Sequence, residues 1–130
     1  MPKPLIYISH PYKGIETNKL IVGKIIKDLY SYYSDRFTFV SPIHCFSFLY
    51  NEVNYFDGLD MCYDLLEGCV EMWVFGDYKN STGCKAEISY CKTHDIPYKI
   101  FKNVNSVRKE YEPNKSKKAI RKKIYKKRRK

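Results

Sequence analysis

Four short β-favouring runs alternate with helical segments along residues 5–101, and this alternation constrains the fold more than any other feature of the sequence. The runs are Leu5–Ile8, Phe37–Val40, Glu71–Phe75 and Tyr98–Phe101. Between them, apolar residues recur at helical spacing, most clearly over residues 21–33. Strands that alternate with helices in this way form a parallel sheet with helices on both faces.

The sequence therefore predicts an α/β protein, a Rossmann-like or flavodoxin-like three-layer sandwich. We expect a mainly parallel sheet of four to five strands in the order 2-1-3-4. Strands 1 and 3 then become neighbours whose chains leave in opposite directions, and a crevice opens beyond their carboxyl ends. The loops at residues 9–14 and 76–83, rich in glycine and small polar residues, should border this crevice.

Three helices are expected between the strands. The first begins near Asn18, the second covers about residues 59–68, and the third ends near His94. Residues 42–58 form an irregular segment in this interpretation, broken by the Asp57-Gly58 pair. This segment is rich in Phe and Tyr, so it could supply a base-stacking wall, or equally an interface or part of the core.

Charge divides the chain into two parts. All 14 acidic residues precede position 113, with 13 of the 24 Lys and Arg residues, so residues 1–112 form a nearly neutral domain. Residues 113–130 carry the other eleven positive charges and are interpreted as a basic, flexible tail. We expect this tail either to bind nucleic acid without sequence specificity or only to aid solubility. The binding residues would be Lys117, Lys118, Arg121, Lys122, Lys123, Lys126, Lys127, Arg128 and Arg129.

The remaining composition favours a cytoplasmic protein without metal or organic cofactor. No run of 18 apolar residues occurs, and the apolar stretch near the amino terminus is too short for a signal peptide. The five cysteines are odd in number and contain no CxxC pair, which argues against a disulfide framework or a zinc ribbon.

Two carboxylates are candidates for chemistry. Glu87 lies one turn inside a helix that begins at Ser81-Thr82-Gly83, where free N–H groups favour an anion. Asp64 is flanked by residues expected to face the core. If both reached one pocket, one could attack a substrate while the other transfers a proton. The alternative for each is an exposed helix carboxylate.

An ordered set of segments resembles the nucleoside 2-deoxyribosyltransferase superfamily, especially its small, mostly uncharacterised phage and bacterial branch. The set consists of Ile6–Gly14, Asn18, Ser41-Pro-Ile-His44, Asp64-Leu-Leu, Cys69, Trp73–Gly76, Ser81–Ile88 and Ile96-Pro97. The resemblance covers residues 5–101, and no single segment of it is strongly specific.

The resemblance implies a catalytic role for three residues. Glu87 would attack the anomeric carbon of a nucleoside and form a glycosyl-enzyme ester in a retaining double displacement. Asp64 would exchange the proton with the nucleobase, and Tyr7 would position the nucleophile. The substrate-binding positions would be Ser9, His10, Pro11, Tyr12, Gly14, Asn18, His44, Ser81 and Gly83. Relatives complete their pockets across an oligomer, so the resemblance also implies a homo-oligomer.

The chain departs from the family pattern at two places. Lys85 replaces a glycine that often lies two residues before the glutamate, and Ser81 replaces a frequent aspartate. Serine at this place fits a phosphate-binding relative better than a nucleoside-only transferase. The predicted function is cleavage or transfer of the N-glycosidic bond of a nucleoside or nucleotide. The alternatives are a non-catalytic nucleotide-binding module and a nucleic-acid-associated protein that acts through its tail.

Overall fold

The computed structural model describes residues 2–114, and the predicted tail residues from Lys117 to Arg129 lie outside them. Four strands alternate with five α-helices in this part of the chain. The strands are β1 (Leu5–Ser9), β2 (Thr38–Val40), β3 (Glu71–Val74) and β4 (Tyr98–Ile100), and the helices are α1 (Glu16–Tyr33), α2 (Pro42–Phe46), α3 (Tyr55–Glu67), α4 (Thr82–Thr93) and α5 (Val104–Glu110).

The four strands form one parallel sheet in the order β2-β1-β3-β4, which confirms the predicted α/β class and strand order. The pairs Tyr7–Val40, Tyr7–Met72 and Val74–Ile100 set the register. The central β1 and β3 are nearly fully buried, as expected for strands covered on both faces.

Alternate residues of each strand supply the two cores. Ile6, Ile8 and Trp73 face α1 and α5, whereas Tyr7 and Met72 face α3 and α4. Because side chains alternate along a strand, Ser9 lies on the same face as Tyr7. This alternation directs two hydroxyl groups of β1 toward α4.

One element boundary and one whole helix differ from the sequence prediction. Helix α3 begins at Tyr55, so Asp57 and Gly58 lie within its first turns rather than breaking a helix. The side chain of Asn54 accepts a hydrogen bond from the Asp57 N–H at 2.8 Å and caps this start. Helix α5 was not predicted.

Candidate active site

The buried carboxyl group of Glu87 is the centre of the candidate site. It lies on α4, only 6% exposed, at the carboxyl end of β1. The Ser9 hydroxyl donates to Oε1 at 2.8 Å, and the Tyr7 hydroxyl donates to Oε2. Each carboxylate oxygen therefore has a hydroxyl partner from one face of β1, which fixes the orientation of the group.

Burial and hydrogen bonding have opposite effects on the pKa of Glu87. Loss of solvent raises this pKa from 4.5 to about 7, although the bonds from Tyr7 and Ser9 favour the ionised form and lower it. The same burial and the nearby Glu87 charge raise the pKa of Tyr7 well above its usual value. Tyr7 therefore remains a hydrogen-bond donor, and Glu87 changes charge near neutral pH.

A cavity of about 510 Å³ opens beside Glu87. Its walls come from the β1–α1 loop, from α2 to the start of α3, and from the first turn of α4, and this volume lies in the usual range for small-molecule sites. Four aromatic residues line it, namely Tyr12, Phe46, Tyr50 and Tyr55. The carboxylate of Glu87 thus lines a pocket whose walls are largely apolar.

The start of α4 places polar groups at the same cavity. Ser81 is buried and accepts a hydrogen bond from the Cys84 N–H at 3.2 Å, which caps the helix. Thr82 and Gly83 follow it along the wall, and their N–H groups belong to the unpaired first turn. Lys13 of the β1–α1 loop also lines the cavity. This combination favours a negatively charged ligand group.

The β1–α1 loop is held by contacts with its surroundings. The Asn18 amide donates to the Tyr12 carbonyl at 2.9 Å, and the rings of Tyr12 and Tyr50 pack edge to face. Gly14 has φ +70°, and a Cβ there would lie 2.7 Å from the Tyr50 ring. Gly14 and Asn18 therefore support the loop and are absent from the cavity wall.

His10 lines the cavity as a neutral ring. Its Nδ1 lies 2.8 Å from the Pro11 carbonyl oxygen, which can only accept, so Nδ1 donates and Nε2 has a lone pair. Burial lowers the pKa of His10. Pro11 is buried beneath the loop and does not line the cavity.

A family model described as a domain of unknown function, DUF7768, matches residues 4–101. The chain belongs to this family. No curated protein and no solved structure matches the chain. The DUF7768 match includes all four strands and helix α4, so it contains Tyr7, Ser9 and Glu87.

The structure does not bring Asp64 to Glu87 in this DUF7768 chain. Asp64 is exposed on α3 and is absent from the cavity wall, so the proton-exchange role beside Glu87 that the resemblance implied for it does not fit the single chain. Cys62, two residues earlier, lines the cavity instead. Burial and the nearby Glu87 charge raise the pKa of the Cys62 thiol to about 11.

His44 is likewise turned away from the cavity. Its Nδ1 lies 2.8 Å from the Ser41 hydroxyl, and its Nε2 would lie 3.4 Å from a Cβ built on Gly23 of α1. The prediction that His44 borders the pocket is therefore wrong for the single chain, because His44 is exposed and absent from the cavity wall, on which its neighbour Ile43 lies.

Residues 42–58 were expected to supply a base-stacking wall, an interface or core, and their Phe46, Tyr50 and Tyr55 line the cavity. Sequence reasoning missed the cation Lys13, which was treated only as part of a loop. In the part of the chain that the structure describes, no three His, Cys, Asp or Glu side chains are grouped to hold a metal ion. No helix among residues 2–114 is both long and apolar enough to cross a membrane.

Gly76 supports the site from the end of β3, and its replacement is expected to destabilise the fold. Its φ is +80°, and a Cβ there would lie 2.7 Å from His10 Nε2. We expect Gly76→Ala to lower the free energy of unfolding by about 1–3 kcal/mol because of backbone strain and displacement of His10. Urea denaturation at pH 7 measures this change.

Gly58→Ala is the matched control for Gly76→Ala. Gly58 lies in α3, and the nearest atom to its built Cβ is Val53 Cγ2 at 3.9 Å. We expect a gain of about 0.5–1 kcal/mol, since alanine favours a helix. Equal losses in the two variants would contradict the strain assigned to Gly76.

Proposed function

We infer that this chain cleaves or transfers the N-glycosidic bond of a nucleoside or nucleotide through an ester to Glu87. The observation that carries this proposal is a buried carboxylate, held by two hydroxyl groups, on the wall of a nucleotide-sized cavity. A fixed carboxylate is the group that retaining glycosidic chemistry uses as its nucleophile. The resemblance of residues 5–101 to nucleoside deoxyribosyltransferases supports the same assignment.

In this proposal each cavity wall has a distinct role. Glu87 attacks C1′ while Tyr7 and Ser9 hold its two oxygens. Aromatic residues of the cavity stack on the base. Lys13 and the start of α4 bind a 5′-phosphate, which favours a nucleotide over a nucleoside. We place this activity in the cytoplasm and in a homo-oligomer, as the sequence predicts.

The experiment is incubation of the purified full chain with nucleosides, deoxynucleosides and their 5′-monophosphates, with and without an acceptor base. We expect chromatography to show released or exchanged base, with monophosphates preferred. Mass spectrometry of quenched samples should show a sugar or sugar-phosphate adduct on the peptide that contains Glu87. Base release without an adduct at this residue would contradict the ester mechanism.

Asp64→Asn is the control for this experiment. Because Asp64 is exposed outside the cavity wall, we expect its replacement to leave the rate of base release unchanged. A large loss of activity would instead support the proton-transfer role that the resemblance implied for Asp64. Asp64 would then reach a cavity either in a second copy of the chain or after a structural change.

A non-catalytic nucleotide-binding module is the second candidate function. The exposure of Asp64 favours it, since a pocket without that group lacks the expected proton donor. Thermal stabilisation by a nucleotide that survives prolonged incubation intact would support this candidate. The predicted binding of nucleic acid by the tail residues from Lys117 to Arg129 remains a prediction about residues outside the described part.

A further inference from the structure

Within one chain, the described lining of the cavity offers no carboxylic acid besides Glu87 that could protonate a departing base. Among residues 2–114, Glu87 is the only carboxyl group on its wall, and in the proposed reaction that group forms the ester. His10 donates its Nδ1 proton to the Pro11 carbonyl and presents a lone pair at Nε2. Asp64 is exposed elsewhere.

Three other titratable groups near Glu87 hold their protons more tightly than usual, because the pKa of each is raised. Burial, together with the Glu87 charge, raises the pKa of the Cys62 thiol to about 11. Burial and, as a smaller effect, the Glu87 charge raise the pKa of the Tyr55 hydroxyl. Burial also raises the pKa of the Cys84 thiol. Lys13 is an exposed cation of the loop, which we have assigned to a phosphate.

The lack of a general acid in the cavity limits the substrates that can react. An ordinary purine or pyrimidine becomes an anion when its glycosidic bond breaks, and a general acid that prevents this is worth about 10²–10⁴ in rate. A ring that is cationic before the reaction leaves as a neutral molecule and needs no proton.

The wall of the cavity suits such a ring. Aromatic rings attract a cation over their faces, and four of them, Tyr12, Phe46, Tyr50 and Tyr55, line the cavity. The ionised Glu87 is the one negative side chain among the described lining residues. In the proposed complex the positive charge of Lys13 pairs with the negative charge of a 5′-phosphate on the same ligand. A zwitterionic nucleotide therefore matches both charges of the cavity.

We propose that the preferred substrate is a nucleotide with a cationic, N-quaternised base, of the pyridinium or N7-alkylpurinium type. This proposal rests on the glycosidic function proposed above. Glu87 Oε forms a bond to C1′, the C1′–N bond breaks, and its electron pair neutralises the ring, so that a neutral base departs. Water then attacks C1′, the ester bond breaks to restore the Glu87 carboxylate, and the proton of water passes to solvent.

The test compares guanosine 5′-monophosphate with its N7-methyl derivative, and adds nicotinamide mononucleotide as the pyridinium example. With the wild-type full chain we expect kcat/KM to be at least about 100-fold higher for the methylated nucleotide, after correction for spontaneous cleavage. Turnover of both guanosine nucleotides within tenfold of each other, with an adduct on Glu87, would overturn the inference and leave the proposed function intact. Absence of turnover for every substrate would overturn the proposed function itself.

An acid added at Cys62 gives a second, independent test. We expect Cys62→Asp to cleave neutral guanosine 5′-monophosphate at least about tenfold faster than Cys62→Asn, because the nearby Glu87 keeps the new carboxyl group protonated. The two variants should not differ by more than about threefold toward the methylated nucleotide. An equal gain on both substrates would contradict the missing-acid argument.

Recognition of a cation can also be tested without turnover. We expect N1-methylnicotinamide, but not nicotinamide, to raise the melting temperature of the wild type in a thermal-shift measurement.

Discussion

Glu87→Gln is expected to stabilise the protein while it abolishes the proposed reaction. At pH 8 the ionised carboxylate is held in a buried site, and its pKa is raised from 4.5 to about 7. Such a shift corresponds to a cost on the order of 3 kcal/mol, which a neutral amide of the same shape does not incur. Glutamine cannot form the ester, so base release should fall at least about a thousandfold.

The gain in stability should depend on pH in a defined direction. A carboxyl group whose pKa is raised by folding binds its proton more tightly in the folded state, so folding becomes less favourable as the pH rises. The wild type should therefore lose stability between about pH 4.5 and pH 7, and remain level above that range. The difference between Glu87→Gln and the wild type should be near zero at pH 4.5 and largest above pH 7. Urea denaturation at several pH values measures it.

Glu67→Gln is the matched control. Glu67 also accepts a hydrogen bond from a tyrosine, Tyr90, at 2.6 Å, but both side chains lie at the surface. Its replacement should change stability little and without the pH dependence expected at Glu87. Equal pH profiles of stability for the two variants would show that burial of Glu87 does not cause the pH-dependent gain in stability.

Local patterns were sufficient for the sheet but not for every helix boundary. The four apolar runs and the helical periods between them predicted the strand order, because a covered parallel sheet leaves few other arrangements. The start of α3 was missed because Asp57-Gly58 is a common turn pair, whereas the Asn54 cap satisfies the first turn here. Helix α5 carries its apolar residues only at Val104 and Val107, too few to predict a helix without the packed sheet beneath it.

The candidate site was expected in part from the loops at the carboxyl ends of β1 and β3 and in part from the family resemblance. The resemblance implied that Tyr7 positions Glu87, whereas Ser9 was expected at the substrate. Ser9 shares a strand face with Tyr7, and its hydroxyl donates to Glu87 instead. Asp64 failed because helical neighbours differ by about 100°, so buried residues beside it do not make it face inward. Cys62 lies two positions earlier and faces the cavity instead.

Removal of the Tyr7 hydroxyl should shift the activity to higher pH. This hydroxyl donates to Glu87 Oε2 and favours the ionised carboxylate, which is the form that attacks. In Tyr7→Phe we expect the pKa of Glu87 to rise above 7, so that base release at pH 7 falls at least about tenfold and recovers in part at pH 9. Ser9→Ala, which removes the donor to Oε1, should shift the profile in the same direction. The pH dependence of kcat/KM for the free enzyme measures both shifts.

Tyr33→Phe separates this electrostatic role from a simple loss of packing. Tyr33 is also fully buried, but its hydroxyl donates to the Tyr111 carbonyl at 2.8 Å on the opposite face of the sheet. Its loss should reduce the free energy of unfolding by about 1 kcal/mol and leave the pH profile in place. If Tyr7→Phe lowered activity equally at pH 7 and pH 9, its hydroxyl would act on the geometry of Glu87 and not on its charge. A profile displaced toward acid would contradict the hydrogen-bond direction on which the assignment of Glu87 as nucleophile depends.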